Sequence, residues 1–303
     1  MSTGAADHDE DGQDGEPGAV TARGPTTVLC DGLVFPEGPR WRDDRLWFSD
    51  QHGHTLQTID LSGNAKVVAE VPRCPSGIGW LPDGTLLVVS MHDHRIMRVD
   101  GDGLHEYADC SGHMTGAAND MVVDSHGRAY VGNFGFDLFG GGTPRTTGLV
   151  MVSPKGDVRV VAADLHFPNG TVVTPDGATL VVAETMGARL TAFDIAPDGS
   201  LGRRREWAKI PGLPDGICLD AEGCIWVCDP GGGDVMRVAE GGEIRDRVQV
   251  GGANKAVACA LGGPDRRTLF VCTSASVLPA ECIKERRGRI ECVDVDVPGA
   301  GLP

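Results

Sequence analysis

The chain has 303 residues, of which 41% are hydrophobic, and a formal net charge of −16 at pH 7. This acidic balance argues against nucleic acid and anionic membrane surfaces as partners, because both require a basic face. The chain contains no run of about 18 apolar residues, which argues against a membrane span.

Residues 1–24 contain six acidic residues and little that could be buried, a composition that predicts a disordered acidic tail. They show neither the basic nor the apolar region of a secretory signal. Ten cysteines follow, most of them beside apolar residues. Without an export signal they indicate small buried thiols in a cytoplasmic protein rather than disulfides. We expect residues 25–303 to form one domain.

A short phrase recurs along this domain, and a turn follows six residues after the middle of each later copy. The copies are Pro36-Glu37-Gly38, Pro75-Ser76-Gly77, Ala118-Asn119-Asp120, Pro168-Asn169-Gly170 and Pro214-Asp215-Gly216, and the turn at 264–267 puts a sixth at Ala258. The spacing runs from 39 residues between Glu37 and Ser76 to 50 between Asn119 and Asn169, which is typical of propeller blades.

This repeat predicts an all-β fold, a six-bladed β-propeller with four-stranded antiparallel blades around a central channel. The β-prone run at 27–29 is expected to close the ring by pairing with the run at 289–295. Helical patterns are weak throughout.

Four of the six middle positions carry a hard side-chain oxygen, namely Glu37, Asn119, Asn169 and Asp215. If each phrase begins the innermost strand of a blade, these oxygens converge at one end of the channel. Such a set suits Ca²⁺, which takes several oxygen ligands in irregular geometry, whereas softer metals favour Cys or His. The alternative is that the four side chains cap local turns.

Residues 133–147 form the main departure from the repeat, an insertion with several glycines and three of the eight phenylalanines. Long loops are often functional, so we interpret it as a lid or pocket wall over the channel mouth. Its candidate substrate contacts are Phe134, Phe136 and Arg145. The alternative is an ordinary surface insertion.

Other candidates lie close to the metal positions along the chain. His113 and Met114 precede Asn119, His166 precedes Asn169, and Glu184 ends the second strand of blade four. Each either lines the mouth or lies in a solvated loop. The pairs His52/His54 and His92/His94 could suggest a second metal site, but exposed turn histidines are the preferred interpretation.

The repeated phrases, taken in their order along the chain and with their constant spacing to the following turns, resemble the propellers of the senescence marker protein, regucalcin and gluconolactonase family. The resemblance covers roughly residues 26–297. The motifs that carry the resemblance lie at 36–41, 119–120, 124–128, 168–170, 214–220 and 259–263.

The resemblance implies that Glu37, Asn169 and Asp215 bind one divalent ion, with Asn119 as a fourth ligand or a substrate contact. Members of the family and its relatives mostly open lactone rings, so a metal-dependent hydrolase is implied. The ion polarises the carbonyl and activates water, and Asp215 acts as general base or, as second choice, as nucleophile. Ca²⁺ is the first expectation, with Zn²⁺, Mg²⁺ and Mn²⁺ as alternatives.

One position departs from the family. The sugar-lactonase members carry an arginine two residues before the asparagine of blade three, where this chain has Ala117. Loss of the guanidinium removes a bidentate anchor for hydroxyl or carboxylate groups, which favours an apolar substrate over a sugar-acid lactone.

The alternatives are phosphotriester hydrolysis or a strictosidine-synthase-like condensation at the same site, and a calcium-binding propeller without turnover. The expected partner is a small-molecule substrate, and the closed architecture favours a monomer.

Overall fold

The computed structural model describes residues 22–23 and 25–301, together with Met1. Most of the predicted tail, residues 2–21 and 24, lies outside the described residues. Two strands precede the first blade, β1 (Ala22–Arg23) and β2 (Thr27–Leu33). Two residues expected in the tail therefore form a strand, which pairs in parallel with the outer strand of the fifth sheet.

The remaining strands form six sheets in chain order. Blade one contains β3 (Pro36–Arg42), β4 (Arg45–Asp50), β5 (Thr55–Ile59) and β6 (Ala65–Glu70). Blade two contains β7 (Pro75–Trp80), β8 (Leu86–Ser90), β9 (Arg95–Asp100) and β10 (Gly103–Asp109). Blade three contains β11 (Ala118–Val123), β12 (Ala129–Asn133), β13 (Thr147–Val152) and β14 (Val158–Leu165).

Blade four contains β15 (Pro168–Val173), β16 (Thr179–Glu184), β17 (Arg189–Ile195) and β18 (Leu201–Lys209). Blade five contains β19 (Ile217–Leu219), β20 (Ile225–Cys228), β21 (Asp234–Val238) and β22 (Ile244–Gln249). Blade six contains β23 (Lys255–Gly262), β24 (Thr268–Ser274) and β25 (Gly288–Asp294). Within each blade the strands pair antiparallel in chain order.

The ring closes as the sequence predicts. Strand β2 from the start of the domain pairs antiparallel with β25, with Val28 opposite Glu291, and supplies the fourth strand of blade six. The innermost strands contact one another in a closed cycle, β3, β7, β11, β15, β19, β23 and back to β3. The six-bladed propeller predicted from the repeat is therefore confirmed.

The core consists of six buried apolar clusters, one at each interface between neighbouring blades. Ile78 and Val88 of blade two, for example, pack with Leu56 of blade one. Seven of the ten cysteines are buried, and all ten are free thiols. The prediction that the cysteines act as small core residues is confirmed for these positions, because burial of this kind removes apolar surface from water.

One short helix was not predicted from the sequence. Helix α1 (Pro279–Glu285) lies between β24 and β25, begins with a proline in its first turn and ends at Arg286 in the left-handed conformation. Two single-turn 3-10 helices occur at Gln51–Gly53 and Thr185–Gly187. Within residues 22–23 and 25–301, no helix is long and apolar enough to cross a membrane.

Glycines in the repeated phrases allow neighbouring innermost strands to approach closely. A Cβ atom at Gly77 would lie 2.2 Å from the backbone nitrogen of Met121, and one at Gly216 would lie 2.5 Å from the Cα atom of Ala258. Backbone hydrogen bonds cross the same contacts, from Gly216 N–H to Val257 O at 2.8 Å. No side chain could fit at these positions without moving the next blade.

Replacing Gly77 by alanine should therefore destabilise the propeller. We expect Gly77→Ala to lower the free energy of unfolding by about 1–3 kcal/mol, the range for overpacking a tight contact. The matched control is Gly202→Ala on β18, where an added Cβ meets nothing within 4 Å. Denaturant unfolding checks both variants, and equal stability of the two would contradict the close-approach explanation.

Candidate active site

Among the described strands, every repeated phrase lies at a β-bulge except the one at 214–216, which precedes its strand. In blades one, three and four the pairing of the innermost strand with its neighbour shifts register between Glu37 and Arg40, between Ala118 and Met121, and between Pro168 and Thr171. A bulge leaves residues unpaired and turns their side chains away from the regular pleat. The middle residue of each of these phrases therefore lies at the irregular step.

Asn169 and Asp215 are in direct contact. The Nδ2 atom of Asn169 donates to Oδ1 of Asp215 and, at 3.1 Å, to Oγ1 of Thr185. The hydroxyl of Thr185 in turn donates to the carbonyl of Pro214 at 2.8 Å. Blades four and five thus present an amide and a carboxylate at one point of the channel end.

Glu37 belongs to the same electrostatic site. Burial raises the pKa of Glu37 well above its ordinary value, and the neighbouring charge of Asp215 raises this pKa further. Burial also raises the pKa of Asp215 to about 8, against the hydrogen bond from Asn169, with the charges of Asp120 and Asp229 adding to the rise. Two carboxylates in such surroundings favour a positive charge nearby.

Asn119 completes the set from blade three. Its side chain is buried, and its Oδ1 atom accepts a hydrogen bond from Ser76 Oγ at 3.4 Å. Its Nδ2 atom is buried and has no hydrogen-bond partner among the described residues. Because amide oxygen and nitrogen are interchangeable in shape, a rotated amide would leave the oxygen free for a cation instead.

The residues present therefore fit a hard divalent ion. Within residues 22–23 and 25–301, no group of three or more His, Cys, Asp or Glu side chains is placed to hold a metal. The two carboxylates, Glu37 and Asp215, would need the amide oxygens of Asn119 and Asn169 to complete an oxygen site. The same finding gives no support to a second metal at the His52/His54 and His92/His94 pairs.

An ion pair lies next to this set in the channel. Arg40 of β3 reaches from blade one to blade three, where its Nη2 atom lies 3.1 Å from Asp120 Oδ1 and 2.6 Å from the carbonyl of Met121. Both side chains are about nine-tenths buried. A cavity of about 50 Å³ lined by Arg40, Cys218 and Cys259 follows along the innermost strands.

Aromatic rings connect in a continuous series between blade one and blade four, which we call the aromatic arc. The ring-centroid distances are 5.1 Å for Phe35–His52, 6.2 Å for His52–Phe139, 6.1 Å for Phe139–Phe134, 4.5 Å for Phe134–Phe167 and 6.3 Å for Phe167–Phe136. The arc joins the residues before Glu37 to those before Asn169 through the blade-three insertion. Phe134, Phe136 and Phe167 are buried in the apolar cluster between blades two and three, and Phe134, Phe136 and Phe139 also line a cavity beside the insertion.

Arg145 holds the insertion in place. Its Nε atom donates to the carbonyl of Gly135 at 2.7 Å, and its Nη2 atom donates to the carbonyl of Thr115 at 3.2 Å. These bonds tie the two ends of the insertion to the segment before β11. The guanidinium is therefore engaged by backbone oxygens.

The other candidate residues occupy different surroundings. Met114 is buried in the apolar cluster between blades two and three, while His113 and His166 are exposed. Glu184 is fully buried, and its carboxylate accepts hydrogen bonds from five donors. These are Arg189 Nε and Nη2, Thr191 Oγ1, Arg204 Nη2 and the backbone N–H of His166. This arrangement uses Glu184 to hold the strands of blade four together.

Sequence reasoning missed Phe35, His52 and Phe167 as members of the aromatic arc. Phe35 and Phe167 both stand two residues before a predicted metal position, which is the signal that could have identified them. Nothing in the sequence around His52 shows that its ring packs against Phe139, because that contact joins blade one to the insertion of blade three.

Comparisons with known proteins agree with this architecture. Residues 35–275 match the profile described as the SMP-30/Gluconolactonase/LRE-like region. The chain is 28% identical to a 6-deoxy-6-sulfogluconolactonase of Pseudomonas putida, over 89% of this chain and 94% of that protein. It is 31% identical to a pentonolactonase of Haloferax volcanii, over 82% of this chain and 84% of that protein.

A solved structure shares the fold. The crystal structure of a calcium-binding protein, regucalcin, from Agrobacterium tumefaciens superimposes with a TM-score of 0.78 at 24% identity, covering 94% of this chain and 99% of the other. The likeness supports the six-bladed ring already described.

Glu184 generates a prediction about stability. Burial would raise the pKa of Glu184, but hydrogen bonds from Arg189, Thr191 and His166 outweigh it and hold the pKa below its ordinary value. A depressed pKa means that the stabilisation is complete above the ordinary pKa of the carboxyl group and is lost as pH falls through the lowered value. We expect Glu184→Gln to lower the free energy of unfolding at pH 7 by about 3 kcal/mol.

The variant should also lose part of the acid dependence of stability that the unsubstituted protein shows below about pH 4.5. Urea unfolding at several pH values measures this dependence. The control is Glu70→Gln on the exposed outer strand β6. An identical acid profile for Glu184→Gln and the unsubstituted protein would contradict the assignment.

Proposed function

The chain belongs to the SMP-30/gluconolactonase/LRE-like family, and from this premise we propose that it is a metal-dependent hydrolase that opens a lactone ring. Relatives named as lactonases align over most of their length with this chain, which supports a lactonase-like hydrolase. The reaction adds water to the ester carbonyl and breaks the ring C–O bond, giving a hydroxy acid.

The observation that supports the proposal is the placement of Glu37, Asn169 and Asp215 at the same position of the repeated phrase in three blades. Asn169 contacts Asp215 directly, and the charge of Asp215 acts on Glu37. A purely structural role does not require two half-buried carboxylates close enough for the charge of one to raise the cost of ionising the other. A divalent cation would remove that cost.

Glu37, Asn169 and Asp215 would hold the ion, and Asn119 would either complete its ligands or bind the substrate. A divalent ion at this site supplies Lewis acidity, which polarises the ester carbonyl and lowers the pKa of water. Ca²⁺ is the first choice because the donors are all oxygens, with Zn²⁺, Mg²⁺ and Mn²⁺ as alternatives.

Asp215 would take the proton from the attacking water. The hydrogen bond from Asn169 holds its Oδ1 atom, which leaves Oδ2 to face the water. The carboxylate then returns the proton to the leaving ring oxygen as the C–O bond breaks, so that no net proton is consumed at the site. A bound divalent ion would lower the pKa of Asp215, and the modest basicity of this carboxylate would suffice because the same ion would lower the pKa of the attacking water.

The proposed general base generates the first functional prediction. We expect Asp215→Asn to lower kcat for lactone opening by about 10²–10⁴-fold, the usual contribution of a general base. The assay follows hydrolysis of γ- and δ-lactones, both sugar-derived and alkyl, at saturating Ca²⁺. Calorimetric Ca²⁺ binding by the variant separates a lost base from a lost ligand.

The control for Asp215→Asn is Glu243→Gln, which removes an exposed carboxylate near β22. Full activity of Asp215→Asn would rule out this residue as the base. If the unsubstituted protein binds Ca²⁺ but opens no lactone, the alternatives take its place. These are phosphotriester hydrolysis, a condensation at the same site, or a calcium-binding propeller without turnover.

Metal removal provides a second prediction. Protein dialysed against EDTA should lose lactonase activity and regain it with Ca²⁺ or one of the alternative ions. At a free ion concentration of 100 times Kd, binding should stabilise the fold by about 2.7 kcal/mol, measurable as a rise in Tm. The Glu37→Gln variant should need a higher Ca²⁺ concentration for the same rise in Tm. Undiminished lactonase activity in EDTA would contradict a role for the ion.

A further inference from the structure

We propose that the substrate is a lactone with an apolar alkyl or aryl substituent, and that this substituent packs against the aromatic arc. The inference rests on the proposed lactone hydrolysis for the identity of the reacting ring. It goes further by assigning the chemical class of the group attached to that ring. Three features support this assignment. They are the aromatic arc, the residues before the candidate metal ligands and a cavity beside the insertion.

The arc lies within reach of a ligand held at the candidate metal site. Phe35 is two residues before Glu37, and Phe167 is two residues before Asn169. Two residues of chain span at most about 7 Å, so Phe35 lies close to Glu37 and Phe167 lies close to Asn169. Their contacts through the insertion make one apolar wall rather than isolated rings.

The same position in all six phrases is apolar. The residues two before each middle position are Phe35, Cys74, Ala117, Phe167, Leu213 and Ala256. Cys74 and Ala256 are buried in interblade clusters, whereas Ala117 lines the cavity beside the insertion. A polyhydroxylated substrate packed against Phe35, Ala117 or Phe167 would have to leave hydroxyl groups without partners, which costs free energy for every group that water no longer reaches. An alkyl chain or aryl ring has no such requirement.

A cavity of about 200 Å³ extends this wall outward. It is lined by Ala117 and by Phe134, Phe136, Leu138 and Phe139 of the insertion, and its polar lining comes from His92, His94, Thr115 and Asp137. Two of these polar groups are already engaged, since Thr115 Oγ1 donates to Gly135 O at 3.0 Å and Asp137 Oδ1 accepts from Gly140 N–H at 2.8 Å. Arg145 is likewise engaged by backbone carbonyls.

His52 provides one polar atom within the arc. Its ring packs against Phe35 and Phe139, and its Nε2 atom is buried without a hydrogen-bond partner among the described residues. Burial lowers the pKa of His52 to about 4, so the ring is neutral at pH 7. A neutral imidazole suits a mainly apolar ligand with a single hydrogen-bonding group better than it suits a charged one.

The first experiment compares γ-lactones whose substituent grows from methyl to octyl with glucono-δ-lactone, using the full chain loaded with Ca²⁺. Each methylene that enters the arc should raise kcat/KM by up to about fourfold, from the free energy of burying one CH₂ group. The expected result is a kcat/KM that increases with chain length and exceeds that of the sugar lactone. A flat series with the sugar lactone preferred would overturn the inference while leaving lactone hydrolysis intact.

The second experiment tests the arc itself. Phe139 is 41% exposed, so Phe139→Ala should fold normally, and it should reduce the octyl-to-methyl ratio of kcat/KM by about tenfold through loss of apolar contact. His52→Phe keeps the ring but removes the free nitrogen. The matched control is Val67→Ala, which truncates an exposed apolar residue on β6. If the octyl-to-methyl ratio of kcat/KM is the same in Phe139→Ala as in Val67→Ala, the aromatic arc does not bind the substituent.

A binding measurement separates this inference from the proposed reaction. The octyl-substituted γ-lactam resists hydrolysis, and its affinity can be measured by calorimetry whether or not the protein turns over any lactone. Lactam binding that weakens in Phe139→Ala and His52→Phe, in a protein that hydrolyses no lactone, would support the ligand class and reject the reaction. Failure of the unsubstituted protein to bind the lactam, or unchanged affinity in both variants, would overturn the ligand class.

Discussion

The close approach of neighbouring innermost strands is the constraint on which the rest of this structure depends. At Gly77, Gly170 and Gly216 the backbone of the next blade comes so near that even a methyl group would overlap it. Such contact lets backbone hydrogen bonds pass between blades, as from Gly170 N–H to Asp215 O. Because each blade is positioned by its neighbour, the six phrases are brought to one end of a single narrow channel.

This closeness also explains the electrostatics of the candidate site. Glu37 lies at a β-bulge of β3, which turns its side chain away from the regular pleat, and both Glu37 and Asp215 lie in surroundings that disfavour their charged forms. Carboxylates whose ionisation is disfavoured by their surroundings and by each other's charge reduce stability unless a cation or a proton compensates. Functional sites commonly hold such unfavourable arrangements, and the six interblade clusters supply the stability that offsets this one.

The aromatic arc is formed by different elements from the channel. Its rings come from the insertion after β12, from the residues just before β3 and β15, and from His52. Arg145, a charged residue of the insertion, is engaged by backbone carbonyls, and Glu184 is engaged in tying blade four together. Relatives of this chain are named for sugar-derived lactones, whereas the cavity beside the arc is lined by four apolar side chains of the insertion together with His92, His94, Thr115 and Asp137.

The sequence by itself determined the number of blades and the strand that closes the ring. It also determined that Glu37, Asn119, Asn169 and Asp215 occupy the same position of the repeated phrase. All of these depend on a repeat that can be read along the chain. It could not show that the carboxylate of Glu184 accepts hydrogen bonds from five donors, that Arg145 donates hydrogen bonds to both ends of the insertion's surroundings, or that the ring of His52 packs within the aromatic arc. Those facts depend on contacts between residues far apart in sequence. Helix α1 also escaped prediction, since seven residues carry too little periodicity to distinguish a helix from a loop. Only the tertiary structure decides which polar atoms are already paired, because pairing depends on distances across blades.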